Sequence, residues 1–287
     1  MFVRKLGWPN IFKSLSILFI LFYIAVCGFL YFRQSHFIYD PERQIRATPA
    51  LYDLPYQEVE IPITTQSQKI EKIHGWWIPA AEKNAKTLLY LHGKGANMGK
   101  EAERVSQFHQ LGLSVFLIDY RGFGKSEGEF PSETQIYEDA EQAWQYLIQK
   151  LKLNPKHIFV YGHSLGGAIA IELALHHPQI AGLIIESSFT AMRDMAIRTD
   201  WWASYIPLDF LLTQKFDSRS KIQALAMPIL FIHGTADTMI PYEMSERLFA
   251  MTTARKKLLL IPQGDHDHNY KIGKAQYVEA VRAFVQP

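Results

Sequence analysis

Short, wholly apolar runs recur along most of this chain, separated by segments in which polar and apolar positions follow a helical period. Such runs are typical of strands that are buried on both faces of a parallel sheet. They lie at residues 87–91, 114–118, 158–161, 183–185, 229–232 and 258–261. Two earlier segments, residues 58–63 and 74–78, predict an antiparallel pair that opens the sheet.

Helical patterns fill the gaps between these strands. They cover residues 100–111, 133–151, 165–176, 242–251 and 273–285. Alternating strands and helices favour the α/β class, here a mostly parallel eight-stranded sheet with helices on both faces. Ligands of such sheets bind beyond the carboxyl ends of the strands, so candidate chemistry is expected there.

The N-terminal segment has a different pattern. Residues 15–32 (LSILFILFYIAVCGFLYF) are apolar apart from Ser16 and carry no charge, which reaches the length of a membrane span. The run is apolar on every face, which disfavours a core helix. A cleaved signal peptide remains an alternative, although no A-x-A site follows the run. We expect a tail and transmembrane anchor at 1–32, a linker at 33–55 and a globular domain at 56–287.

The basic residues that flank this segment hardly decide its orientation. There are three on each side: Arg4, Lys5 and Lys13 before it, and Arg33, Arg43 and Arg46 after it. A short tail before a first span favours an inside N-terminus and a domain on the extracytoplasmic side. The single cysteine, Cys27, lies within the span, so the domain tolerates either redox compartment.

Composition excludes some classes of protein. The 287 residues are 48% hydrophobic and 20% charged, which is an ordinary globular balance. A net charge of +2, without a basic stripe interleaved with aromatics, argues against a nucleic-acid binder.

The sequence GHSLGG at residues 162–167 lies between an apolar strand and a helix-prone run. A strand, a sharp turn and a helix around G-x-S-x-G predict a nucleophile elbow with Ser164 at its apex. Gly162 and Gly166 occupy the two places where the turn leaves almost no room for a side chain.

A serine hydroxyl needs a base, and histidine is the usual one. Two histidines follow the last strand, and we favour His266 over His268, which loop position alone does not exclude. Asp237, after the strand at 229–232, is the candidate that orients the base, with Glu186 as the alternative acid. The order Ser164, Asp237, His266 is typical of α/β-hydrolases. An H-x-H spacing also permits a metal site, but no further histidine or cysteine cluster supports one.

The oxyanion that forms on the attacked carbonyl needs fixed donors. The backbone N–H of Leu165 is one candidate, because it begins the helix after the serine. The N–H of Lys94 is the other, in the glycine-rich loop after the strand at 87–91.

A short insertion at about 189–226 carries exposed-looking aromatics over the expected active-site edge. They include Phe189, Trp201, Trp202, Tyr205 and Phe210. Ordinary packing of cap helices explains them as well as an apolar pocket that faces acyl chains or lipid.

Taken together, these motifs resemble the α/β-hydrolase superfamily, and within it the BEM46-like membrane-anchored serine hydrolases. The resemblance covers about residues 56–284. It rests on LHGKGAN at 91–97, DYRGFGKSEG at 119–128, GHSLGG at 162–167, HGTAD at 233–237 and the histidine loop.

The resemblance implies a triad of Ser164, Asp237 and His266, and it favours His266 because the family histidine follows the strand-ending proline, here Pro262, by four residues. The chain departs from the family at Lys94, which is usually Asn, and at Asp265, which is usually Gly.

We therefore expect a serine hydrolase that cleaves esters or thioesters of apolar acyl groups through an acyl-enzyme, with no cofactor and no metal. The expected partners are a small-molecule or lipid-like substrate and the membrane, without nucleic acid. A peptidase or amidase of the same fold is the alternative, and a non-catalytic membrane adaptor is a more distant one.

Overall fold

An eight-stranded sheet organises the part of the chain that the computed structural model describes, residues 8–65 and 67–286. Arg4 and Lys5, which enter the orientation argument, lie outside these residues. In chain order the strands are β1 Gln57–Thr64, β2 Ile70–Ile78, β3 Thr87–Leu91, β4 Ser114–Ile118, β5 Ile158–His163, β6 Gly182–Glu186, β7 Ile229–Gly234 and β8 Lys256–Ile261.

The spatial order of the strands is β8-β7-β6-β5-β3-β4-β2-β1. The pairs β1–β2 and β2–β4 are antiparallel, and all other neighbours are parallel. The predicted eight-stranded, mostly parallel sheet is thus confirmed. Leu91 is paired with Gly162, so the loop after β3 and the turn after β5 leave the sheet side by side.

Burial explains why the strands read as continuous apolar runs. Every residue of β3 to β7 is buried, because helices cover both faces of the central sheet. The edge strand β1 instead alternates exposed and buried positions from Glu58 onward, since only one of its faces meets the core.

Helices form a layer on each face of this sheet. In chain order they are α1 Trp8–Ile38, α2 Ala102–Gln110, α3 Glu133–Gln145, α4 Leu165–His176, α5 Met192–Thr199, α6 Leu208–Leu211, α7 Ser218–Lys221, α8 Glu243–Met251 and α9 Asn269–Val285. One apolar cluster joins the sheet to α3, α4 and α8, and a second joins it to α2 and α9.

Three helices differ from their predicted bounds. The pattern predicted at 133–151 is split into α3 and a π-helical turn, Tyr146–Lys150. α9 begins four residues before the predicted 273 and is kinked at Lys274, which has non-helical backbone angles.

The third, α1, extends six residues beyond the predicted span, as far as Ile38. Its stretch Ile11–Ile38 is long and apolar enough to cross a membrane, and no part of the most apolar window is buried in the protein. A signal sequence would pass the same length and composition criteria.

Candidate active site

Ser164 lies at the apex of a strained turn between β5 and α4. Its backbone angles, φ 55° and ψ −120°, are rare for a residue with a side chain. Neighbouring glycines make the turn possible: a Cβ on Gly162 would lie 2.2 Å from the carbonyl oxygen of Gly166, and a Cβ on Gly166 would lie 2.0 Å from that of Leu91. The chain therefore forms the elbow geometry that GHSLGG predicts.

The three residues singled out from the sequence meet at this turn. His266 Nε2 lies 3.0 Å from Ser164 Oγ, and His266 Nδ1 lies 2.7 Å from Asp237 Oδ2. All three residues are buried, with relative exposures of 7 to 8%. A carboxylate only accepts hydrogen bonds, so the Nδ1–H of His266 donates to Asp237 and Nε2 is left to accept from the serine hydroxyl.

Asp237 is held by four hydrogen bonds. Its Oδ1 accepts the backbone N–H groups of Met239 and Ile240, at 2.8 and 2.9 Å. Its Oδ2 accepts from His266 and from His233 Nε2, at 3.2 Å. Burial raises the pKa of this carboxyl, but these hydrogen bonds outweigh burial and hold the pKa well below its usual value. The carboxylate is thus ionised at neutral pH.

The two alternatives left open by the sequence have other partners. His268 Nδ1 lies 3.0 Å from Asp265 Oδ2, and its side chain is half exposed. Glu186 is fully buried, and its Oε2 accepts the hydroxyls of Tyr161 and Tyr277 at 2.8 and 2.7 Å. Neither residue contacts Ser164, so the geometry favours His266 and Asp237.

The two candidate oxyanion donors flank the serine. Leu165 is the first residue of α4, and Gly93, which precedes Lys94, lies so close that a Cβ on it would be 3.3 Å from the Cβ of Ser164. Among residues 8–65 and 67–286, neither the N–H of Leu165 nor that of Lys94 has a hydrogen-bond partner. Both donors are therefore available.

The linker after α1 braces the Lys94 loop, which the sequence did not suggest. Asp40–Pro41 runs parallel to Gly95–Ala96, and the N–H of Asp40 donates to the carbonyl of Lys94 at 3.0 Å. The side-chain amide of Asn97 donates to the carbonyls of Glu42 and Gln44 at 3.0 and 2.9 Å. The segment next to the apolar helix thus positions the backbone that carries a candidate oxyanion donor.

Two further buried residues, also missed from the sequence, hold the histidine loop. His163 Nε2 donates to the carbonyl of His266 at 2.8 Å, and burial followed by the charge of Arg104 lowers the His163 pKa well below its usual value. Arg104 donates to the carbonyl of Asp267 at 2.5 Å and to the hydroxyls of Tyr90 and Tyr161. A histidine inside G-x-S-x-G was the only signal in the sequence for this role.

One group of side chains has the composition of a metal site. Ligand atoms of His163, His266 and Asp267 lie within 4.8 Å of one another. These side chains already hydrogen-bond to other protein groups, such as Lys100 for Asp267, at 3.0 Å. His268, the second histidine of the H-x-H spacing, is not in the group.

The insertion between β6 and β7 divides into a packed part and an exposed part. Phe189 is buried, and Met192 and Met195 pack on the core cluster of α3, α4 and α8. Trp201, Tyr205 and Phe210, by contrast, are 78, 74 and 88% exposed. Packing therefore explains the first half of this cap, which we define as residues 189–226, but not the second.

Comparison with known proteins places these features in a family. The sequence pattern of a family described as "Serine aminopeptidase, S33" matches residues 82–214. The chain is 31% identical over 288 residues to the uncharacterized protein YfhR of Salmonella typhimurium, covering 94% of each chain. It is also 30% identical over 253 residues to protein bem46 of Schizosaccharomyces pombe, covering 85% of this chain and 83% of bem46.

The chain is a BEM46-like α/β-hydrolase. A solved structure of a Pyrococcus furiosus esterase has the same fold, with a TM-score of 0.71 over 87% of this chain and 97% of the esterase, at 21% identity. Membership of the α/β-hydrolases supports hydrolytic activity and a small-molecule substrate. The family resemblance inferred from the motifs is thus confirmed.

Proposed function

We propose that this α/β-hydrolase is a serine hydrolase that cleaves carboxylic esters or thioesters through an acyl-enzyme. The observation that carries the proposal is the unbroken hydrogen-bond chain from Ser164 Oγ through His266 to Asp237, at the apex of a strained elbow. A strained backbone conformation at a buried serine is costly, and it is typical of a catalytic nucleophile.

In the proposed reaction, Ser164 Oγ attacks the carbonyl carbon while His266 Nε2 takes its proton. Asp237 stabilises the imidazolium and keeps its Nδ1–H turned inward. The tetrahedral oxyanion accepts from the N–H groups of Leu165 and Lys94. His266 then protonates the leaving alcohol or thiol, and a water molecule releases the acid by the same steps in reverse order. These steps need only side chains and backbone groups of this chain.

The proposed substrate has an apolar acyl part, and the enzyme acts beside a membrane. α1 is uncharged over residues 15–32, and aromatics of the cap are exposed next to it. We assign residues 1–32 to the tail and anchor, 33–55 to the linker and 56–287 to the catalytic domain, on the extracytoplasmic side. Protease protection of the domain in intact cells tests this orientation.

Labelling with a fluorophosphonate tests the nucleophile. We expect the wild-type protein to be labelled and Ser164→Ala to remain unlabelled, because the reagent reacts only with an activated serine. The nearby Ser188→Ala is a matched control that keeps its label, since the Ser188 hydroxyl only donates to the carbonyl of Ser164. Labelling that survives Ser164→Ala, or no labelling of the wild type, contradicts the proposal; the second result favours a non-catalytic adaptor.

The base is tested by comparing His266→Ala with His268→Ala. We expect the first to lose p-nitrophenyl ester turnover by several powers of ten and the second to stay within a few-fold of wild type. Loss of turnover in His268→Ala alone would contradict the assignment.

A peptidase or amidase is the second candidate, and the description of the matched family as serine aminopeptidases favours it. The same serine, histidine and aspartate would serve both reactions. Paired ester and anilide substrates with the same acyl group distinguish the two. We expect a much higher kcat/KM for the ester; a higher value for an anilide with a free α-amino group would favour the aminopeptidase.

A further inference from the structure

The cap and the apolar helix α1 form a continuous surface. The hydroxyl of Tyr23 donates to the carbonyl of Tyr205 at 3.1 Å. Further along α1, the side chain of Gln34 donates to the carbonyl of Leu211 at 3.2 Å and accepts the N–H of Thr213 at 2.9 Å. The cap is therefore tied to α1 at points eleven residues apart on the helix.

Burial along α1 shows where this contact begins. Residues 11–25 are all exposed, whereas Val26, Cys27 and Leu30 are partly covered and Gln34 and Ile38 are buried. These positions lie three or four residues apart, on one face of the helix. The cap thus covers one face of α1 from the middle of its apolar stretch to its end.

The uncovered part of α1 is too short to cross a bilayer. Its exposed, uncharged stretch, residues 14–25, is about 18 Å long at the helical rise of 1.5 Å per residue. The hydrocarbon layer of a bilayer is about 30 Å thick. The missing length of about 12 Å corresponds to residues 26–33, which end at Arg33, the first charge after the span. Tilting the helix increases the missing length, so the face of the cap beside residues 26–33 must share the hydrocarbon layer with α1.

The side chains that this part of the cap exposes suit such a position. Trp201, Tyr205 and Phe210 are the three most exposed of its large side chains, and aromatic rings of this kind collect at the boundary between lipid headgroups and acyl chains. A nearby ion pair, Arg193 Nε to Asp209 Oδ1 at 2.9 Å, reduces the charge that the surface presents.

We propose that Trp201, Tyr205 and Phe210 form a lipid-inserting face, which places the cap in the same leaflet as the C-terminal half of α1. The occupant of this surface is bilayer lipid, and the acyl substrate of Ser164 enters from that leaflet. The second clause rests on the proposed function, whereas the first does not depend on catalysis.

Site-specific labelling tests the insertion. In a Cys27→Ser background, Phe210→Cys carries an NBD fluorophore, and Leu175→Cys on α4 carries it as a control that is also solvent-exposed. In phosphatidylcholine vesicles, lipids with a doxyl group high on the acyl chain should quench the Phe210→Cys label several-fold more than the Leu175→Cys label. Equal quenching overturns the proposal. So does shielding from doxyl that grows with the protein-to-lipid ratio, which would assign the face to a second copy of the chain.

Turnover tests the route of the substrate. We compare a long-chain ester in vesicles with a short soluble ester, using the triple variant Trp201→Ser, Tyr205→Ser and Phe210→Ser. The ratio of vesicle to soluble turnover should fall about tenfold, because the apolar area that holds the cap in lipid is removed. Leu51→Ser, which removes an exposed leucine elsewhere, should leave the ratio unchanged. An unchanged ratio in the triple variant overturns the proposal, while a wild type inactive on both esters would refute the proposed function and leave the labelling result intact.

Discussion

Replacing Asp237 by asparagine should disable the proposed base while leaving its position almost unchanged. Oδ1 accepts two backbone N–H groups, so the amide oxygen of the asparagine must take that place. Its NH2 group then faces His266 Nδ1, which lies 2.7 Å from the oxygen it replaces. Because an NH2 group can only donate, Nδ1 must accept, and the ring proton moves to Nε2. His266 can then no longer take a proton from Ser164.

The expected loss is about ten-thousandfold in kcat, or about 5.5 kcal/mol of transition-state stabilisation. Stability should fall by only about 1 to 3 kcal/mol at neutral pH, since both backbone hydrogen bonds persist. The depressed pKa of Asp237 means that its ionised form stabilises the fold above about pH 4 and loses this effect as the pH falls through the folded-state pKa. The stability difference between wild type and variant should therefore be constant near neutrality and shrink only in acid.

Steady-state hydrolysis of a p-nitrophenyl ester measures the loss, and denaturant unfolding measures the stability. Glu186→Gln is the matched control: it removes the other buried acid of this region, which contacts tyrosines and not His266, and kcat should fall less than tenfold. The reasoning would be refuted if Asp237→Asn stayed within tenfold of wild type, or if Glu186→Gln caused the larger loss.

Three other substitutions test the supports of the site. His163→Asn should make unfolding less sensitive to acid: wild type should lose about 1.4 kcal/mol per pH unit below about pH 6, because the unfolded histidine binds a proton that the buried one does not, and a denaturant series over pH checks the slope. Gly166→Ala should prevent folding, seen as loss of soluble protein, since its Cβ would lie 2.0 Å from the carbonyl oxygen of Leu91. Asn97→Ala should lower kcat about tenfold with KM little changed, by freeing the oxyanion loop from Glu42; unchanged kcat would contradict this role.

The strands could be predicted almost residue by residue, because burial on both faces leaves a simple mark on a sequence. Ser114–Ile118 and Thr87–Leu91 agree with their predicted bounds, and the elbow around Ser164 has the glycines that its close backbone contacts require. The antiparallel opening pair was also predicted correctly, since β1 alternates as a strand with one wet face. The fold class thus followed from local periodicity alone.

The site followed from the sequence only as a set of candidates. Loop position alone did not separate His266 from His268, nor strand position Asp237 from Glu186, because each pair lies at the same edge of the sheet. Their distances separate them: His266 bridges Ser164 and Asp237. Such distances depend on strand order and loop path, which periodicity does not encode.

Contacts between distant segments belonged to the tertiary structure altogether. Arg104 reads as an ordinary polar position of α2, yet it is buried and holds the loop of His266 through the carbonyl of Asp267. The linker reads as irregular chain, yet Asp40 pairs with the loop of Lys94. A sequence records the burial and the backbone freedom of each residue, which decide strands, helices and turns. It does not record which remote carbonyl a side chain will reach, because that depends on how all the elements pack together.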